Sequence, residues 1–542
     1  MPRASALLAG GCVAALLLSA CSQASPSGAP SSGGGEPSGA PKASSSPVFR
    51  AHSKVLTVAI NPPSSLDPMR IADPGSLLIA RQLFEGLTSW DQTKEEAVPA
   101  AAKSWDVSKG GRVFTFKLRP GMTFHNGEPV TAQDFEFAFD RIARKRSASD
   151  IAYALADVKG FAAVNRRGAS RTLAGIRAPD KRTLVIELKH PDMNLPAVLT
   201  HPGLVPLLRN QVARSRRWLS HPVGNGPFRL VGKWSPHGHP VLLAADPRSG
   251  TRPQLDGLRF LPFSNPAQAW RSFVQGGVDV TEVPTSEIKA ARESYGNGAF
   301  SPLLAGYYYG FDVSTVDDVR VRRAINRAID RSAIRERALG GILAPPRGIV
   351  PRGMPGFSDD VCKSLCDYSP RAARRLLRPV PSEAKAVTIT YTKEAPHGRV
   401  AHRVAKDLEA VGLKVRLRGL PLTEFLRRLT SGPPAFFRLG WLAEYPSPDV
   451  FLSDLFGSDA PDNHFDFARR GVDNLLSTAR RTRDASERLA LYRRAERAVL
   501  ATVPVVPIGS YLSHWAAKPP VKGLQLDVMG GFDAVGVSLG NG

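Results

Sequence analysis

Two hydrophobic periods alternate along this chain and mark its first elements. The run Lys54-Val55-Leu56-Thr57-Val58-Ala59-Ile60 reads as a strand that Asn61-Pro62-Pro63 breaks. Val113 to Leu118 and Thr183 to Leu188 alternate with period two, as half-buried strands do. Thr131 with Asp134 three residues on is a capping-box pattern, and Phe135, Ala138, Phe139 and Ile142 form the apolar stripe of the helix it opens. Val321, Ala324, Ile325, Ala328 and Ile329 predict a second helix over about 320–339, and Leu489, Tyr492, Ala495 and Val499 a third over about 485–502. The mixture predicts an α/β body, and no repeat of solenoid period runs through it.

The segment before this body follows another pattern. Leu16-Leu17-Leu18 closes an apolar run too short to span a bilayer, and Ser19-Ala20-Cys21 follows it. Small residues ahead of a cysteine at that place resemble the lipobox of bacterial lipoprotein precursors. The resemblance implies that residues 1–20 are a signal peptide and that Cys21 carries a diacylglycerol on its sulfur. Residues 22–47 are almost entirely Ser, Pro, Gly and Ala, with Glu36 and Lys42 the only charges. Such a stretch buries no apolar surface, so 21–52 reads as a flexible tether with a root-mean-square reach of about 28 Å. The body is therefore expected outside the cytoplasm, held through Cys21 to the outer face of the cell membrane.

Roughly 490 residues follow the tether, enough for two or three packed units. The 72 Lys and Arg outweigh the 48 Asp and Glu, for a formal charge of +24. These cations are spread along the chain, at 141–146, 214–217, 480–483 and 493–497, with no aromatic-rich nucleic-acid motif beside them. They read as solvated helix faces with some attraction to an anionic envelope surface, not as a nucleic-acid site. Cys362 and Cys366, spaced as Cys-Lys-Ser-Leu-Cys, predict a local disulfide in an oxidising exterior. A metal site would need ligands closer than His397 and His402. His125 sits in the turn Phe124-His125-Asn126-Gly127 and reads as scaffold, and His237-Gly238-His239 as a solvated loop. Gly224-Asn225-Gly226 lacks the rest of a dinucleotide fingerprint. No phosphate-binding Gly-Lys-Ser/Thr loop and no His-Glu-x-x-His helix occurs, so neither an enzyme nor a cofactor is indicated.

Several segments, in order, resemble the family 5 extracellular solute-binding proteins of ABC importers. They include Ser65-Leu66-Asp67-Pro68, Leu83-Phe84-Glu85-Gly86-Leu87, Pro99 to Trp105, Phe114 to Gly121 and the long block Phe124 to Phe135. Pro222 to Phe228, Gln275 to Asp279, Val319 to Ile325 and Gly440 to Tyr445 complete the set, which covers residues 53–525. The resemblance implies a two-lobed, periplasmic-binding-protein-like clamp with an extra inserted domain. One lobe takes 53–88, 218–308 and 506–542, the inserted domain 89–217 packs on it, and the second lobe takes 309–505. Strands crossing near Tyr307-Tyr308-Tyr309 and Val503-Pro504-Val505 would form the hinge.

In peptide-binding members an acidic residue at the place of Glu444, usually Asp, meets the peptide ammonium. An Arg at the place of Arg438 reaches its carboxyl end. A guanidinium suits that task because it grips a carboxylate through two parallel hydrogen bonds. By the same resemblance the backbone of Gly440 and Leu442 pairs with an extended ligand, Trp441 floors a side-chain pocket, and Ile71, Asp73 and Pro74 face them from the other lobe. The function implied is a monomeric receptor that captures short peptides and delivers them to a membrane permease with cytoplasmic ATPase subunits. The alternatives are the same role for a nickel complex or oligosaccharide, and an envelope peptide sensor or hydrolase.

Overall fold

One sheet of eleven strands runs through the whole molecule. The computed structural model describes residues 53–540 apart from 215, 237 and 297–299. The expected signal peptide, Cys21, the whole of the tether, and His237 lie outside the described residues. The strands are β1 (Val55–Ile60), β2 (Phe228–Val231), β3 (Val241–Ala245), β4 (Gly257–Pro262), β5 (Val280–Glu282) and β6 (Phe300–Phe311). They continue as β7 (Leu343–Ala344), β8 (Ala386–Thr392), β9 (Lys414–Leu420), β10 (Phe436–Leu442) and β11 (Val505–Ala517). Their order is β9-β8-β10-β6-β11-β5-β1-β4-β3-β2, with β7 added on β11. The parallel pairs β1–β4, β1–β5, β8–β9 and β8–β10 sit in the two halves, and antiparallel β6 and β11 join them.

β6 and β11 are thus the crossing strands, and their pairing is irregular at two places. The register between them shifts between Pro302 and Gly306, and again at Tyr307/Tyr308. Tyr307, Tyr308 and Tyr309 are at most 2% exposed and paired on both sides, by β10 and β11, which makes them core of the second half. The larger shift, Pro302–Gly306, lies toward the first half.

The capping box forms as its spacing predicts: α2 (Ala132–Ala143) follows α1 (Pro74–Leu83), and the Thr131 N–H donates to Asp134 Oδ2 at 2.8 Å. α2 lies on a four-stranded antiparallel sheet ordered Ala102–Ser108, Val113–Leu118, Thr183–Glu187, Ile176–Asp180. Phe114, Phe116, Phe135 and Phe139 share one apolar core with Leu56, Val58 and Phe260, so this layer is packed on the β1–β4 half. His125 fastens the join: its Nδ1 accepts the Gly224 N–H at 3.1 Å and its Nε2 faces the Gly226 carbonyl at 3.1 Å. A Cβ on Gly224 would come 1.9 Å from the Leu83 carbonyl, so that turn needs its glycine for space.

The helix expected over 320–339 is shorter. α3 (Val319–Ala328) stops before Ile329 and Asp330, and Asp330 caps a further turn. The reason is Arg331, which is buried and donates to the carbonyls of Asn326, Pro507 and Cys366 instead of continuing an exposed face. Cys362 and Cys366 are joined, with Cα atoms 5.6 Å apart. The remaining helices used below are α4 (His397–Glu409), α5 (Asp449–Phe456), α6 (Arg470–Arg481) and α7 (Ala485–Thr502). No described helix is long and apolar enough to cross a membrane. The letters Gly-x-Ser-x-Gly, the pattern of a nucleophile elbow, occur at Gly536–Gly540. Ser538, however, belongs to a two-residue strand paired with Val521–Lys522, not to a strand-turn-helix elbow.

Candidate ligand-binding cleft

Antiparallel pairing makes alternate residues of a strand point their main-chain groups to opposite sides. Along β10 the Ala443 N–H donates to the Leu304 carbonyl, so the odd-numbered residues face β6 and Gly440 and Leu442 face away. On that far side β8 pairs only with Phe436 and Phe437. The edge at Gly440 and Leu442 therefore has no strand beside it, and both residues line a cleft of about 2570 Å³ between the two halves of the sheet.

An unpartnered charge stands at each end of this edge. Arg438 is 6% exposed, lies 4.8 Å over the ring of Tyr307, and leaves Nε and Nη2 buried without a hydrogen-bond partner. It lies flat because Gly440, two residues on, has no side chain: a Cβ there would sit 2.9 Å from the guanidinium. The hydroxyls of Tyr309 and Tyr511 are also buried and make no hydrogen bond of normal geometry, although the Tyr511 hydroxyl lies within reach of Arg438. At the other end Glu444 follows β10 in the half-buried turn before α5. Burial, with Asp462 nearby, pushes its carboxyl up to about 8, and no cation offsets either effect. Tyr153, from the inserted layer, lies within electrostatic reach of Glu444 and lines the same cleft. Six strand residues at about 3.3 Å each put Cα of Arg438 and Glu444 up to about 20 Å apart, room for a few extended residues between them.

The turn carrying Glu444 is anchored from below. Asp449, fully buried, receives Arg480 Nη2 at 2.7 Å and the Tyr492 hydroxyl at 3.0 Å. Asn194, from the inserted layer, donates to Tyr492 at 3.0 Å and accepts from Ser447 at 3.0 Å, while the Met193 N–H donates to the Arg480 carbonyl at 2.7 Å. The network ties residues 193–194 to α5, α6 and α7 directly beneath the site. Burial and Asp449 push Asp192 up to about 7.

Of the residues expected at the site, Arg438, Gly440, Trp441, Leu442, Glu444 and Pro74 line the cleft. Trp441 sits on the opposite face of β10 from Arg438, its Nε1 donating to the Val450 carbonyl at 2.7 Å. Ile71 and Asp73 turn inward instead. Ile71 is 1% exposed, in the core. The Asp73 carboxylate caps α1, accepting the Ser76 N–H at 2.8 Å and the Ser64 N–H at 3.1 Å. Sequence reasoning missed Tyr153, Trp90, Arg337, Arg399 and Tyr511, which enter the cleft from separate elements. The spacing that placed Glu444 and Arg438 on one strand has no counterpart for them.

The sequence pattern of bacterial extracellular solute-binding proteins, family 5 Middle, matches residues 96–463. The chain is 29% identical over 482 residues to the probable deoxycholate-binding periplasmic protein YgiS of Escherichia coli, covering 86% of this chain and 89% of that protein. It is 27% identical over 480 residues to the periplasmic murein peptide-binding protein MppA of Escherichia coli, covering 86% and 89%. The unliganded open form of MppA superposes with a TM-score of 0.81 at 25% identity, over 90% of this chain and 98% of that one. Haemophilus influenzae OppA in complex with the peptide RPPGFSPFR gives 0.68 at 23% identity, over 90% and 99%.

Proposed function

The chain belongs to the bacterial extracellular solute-binding proteins of family 5, and we propose from that premise that its solute is a short peptide, captured between the lobes and handed to a membrane permease. One observation carries this reading: an open strand edge at Gly440 and Leu442 with a lone carboxylate at one end and a lone guanidinium at the other. A peptide in extended form completes all three. Its main chain adds a strand to β10, its ammonium meets Glu444 and its carboxylate meets Arg438. A buried guanidinium without a counter-charge is costly, and burial holds the Glu444 proton until an ammonium replaces it, so the ligand satisfies both ends. Differential affinity for the closed arrangement then closes the clamp.

The lobe boundaries expected above belong to this proposal, as does the lipid anchor at Cys21. An anchored receptor on a tether holds captured peptide within reach of a permease whose ATPase subunits lie across the membrane. Native mass spectrometry of the purified protein tests the ligand class. Short-peptide masses released on denaturation are expected, and a sugar, a metal complex or an empty protein would overturn the peptide reading. A steroid carboxylate of the kind named for YgiS would satisfy Arg438 but leave Glu444 unpaired, so deoxycholate is expected to compete weakly with peptide.

Arg438→Ala is expected to weaken free-carboxylate peptides by about tenfold, the loss of one charge-assisted pair. The corresponding peptide amides should lose far less. Equal losses for acid and amide in calorimetric titration would remove the carboxylate from Arg438.

A further inference from the structure

The Arg438 end of the cleft holds more positive charge than one carboxylate uses. Arg438 approaches the first residue of α4: its charge bears on His397, whose Nδ1 lies 3.1 Å from the Tyr307 hydroxyl under the guanidinium. α4 is thirteen residues long, and Pro396 ahead of it brings no side-chain cap to the first-turn N–H groups. Such a terminus favours negative charge. Arg399, in that first turn, donates to the carbonyl of Ala338, the residue after Arg337, at 3.4 Å. Arg337, Pro396, Arg399 and Arg438 all line the cleft. Neither Arg337 nor Arg399 has a carboxylate within ion-pair distance among the described residues, although fifteen Lys and Arg pairings with carboxylates occur elsewhere. The acid on the facing wall, Glu282, stands 4.0 Å from His514.

We propose that this end is a double anion subsite, selecting peptides whose last residue is acidic, with two carboxylates at the carboxyl end. Arg438 takes one carboxylate in its buried pocket. Arg399 and Arg337, with the uncapped start of α4, take the other at the exposed mouth. The inference rests on the peptide reading above and extends it from any free carboxyl terminus to a doubly charged one.

Calorimetric titration of the purified protein with Ala-Ala-Glu and Ala-Ala-Gln tests it, since the two differ by one charge. Ala-Ala-Glu is expected to bind about tenfold more tightly at low salt, the scale of an added charge-assisted contact. Arg337→Gln combined with Arg399→Gln should erase that advantage, lowering Ala-Ala-Glu affinity about tenfold more than that of Ala-Ala-Gln. Both side chains are exposed, so folding does not depend on them. Equal binding of the two peptides to the natural protein overturns the double subsite and leaves the peptide reading intact. Binding of neither overturns both. An advantage that survives in the double variant overturns the assignment to Arg337 and Arg399.

Discussion

Arg480→Ala is expected to lower folding stability by about 3 kcal/mol, the cost of leaving a buried carboxylate without its cation. Asp449 has no exposure of its own, and Arg480 reaches both of its oxygens, Nε at 3.0 and 2.9 Å and Nη2 at 2.7 Å. With the guanidinium gone, Asp449 loses its ion-pair partner while Asp192 stays beside it in the interior. Asp192 carries a proton below about 7, held there by burial and by Asp449. The loss should therefore be larger at pH 8, where Asp192 ionises beside Asp449, than at pH 6. Urea denaturation at the two pH values measures it. Removing both partners, as Asp449→Leu with Arg480→Met, should cost less than Arg480→Ala alone, because no buried charge is stranded. Equal stability of Arg480→Ala and the natural protein would mean that water reaches Asp449 and the network beneath the cleft is not closed.

Glu444→Ala should weaken a free-amine peptide by more than ~1.5 kcal/mol, the scale of a hydrogen bond to a charged group. The same carboxyl predicts how binding follows pH. In the empty cleft its pKa stands near 8, so at neutral pH a peptide ammonium must first displace a proton. Affinity should rise with pH toward about 8, then fall as the peptide α-amine, with an ordinary pKa of about 8, loses its own proton. Calorimetry in buffers of different ionisation enthalpy would detect the released proton at pH 7. An affinity flat from pH 6 to 8 would remove Glu444 from ammonium recognition. The empty protein carries the converse signature. A carboxyl raised from 4.5 to about 8 on folding contributes stability below 4.5 that is lost as pH rises through 8. Glu444→Gln should accordingly stabilise the ligand-free protein at pH 9 and change it little at pH 5.

The sequence revealed what local chemistry decides. The box at Thr131 and Asp134, the turn at Asn126-Gly127 and the helix over 485–502 each depend on residues a few places apart, and α7 spans Ala485–Thr502 as its pattern predicts. Glu444 and Arg438 were legible because one strand carries both. Ile71 and Asp73 were assigned to the cleft by resemblance, whereas Asp73-Pro74 is also an N-cap followed by proline, and that local reading is the one that holds. The double cationic end could not be read at all. Arg337 and Arg399 lie 62 positions apart and meet only because the turn after Asp330 folds against the start of α4. The early stop of α3 was equally hidden, since it depends on carbonyls as far away as Pro507 finding Arg331.

The bare stretch of β10 has a further meaning for the empty receptor. An unpaired strand edge is ordinarily a template on which a second chain can add itself, the first step toward aggregation. Here the open length is only a few residues, bounded on one side by β8 and on the other by the turn at Glu444, and it is recessed between the lobes. A short peptide fits that recess, and the flat edge of another folded sheet does not. The geometry that admits a ligand thus also keeps the protein from sticking to its neighbours through that edge.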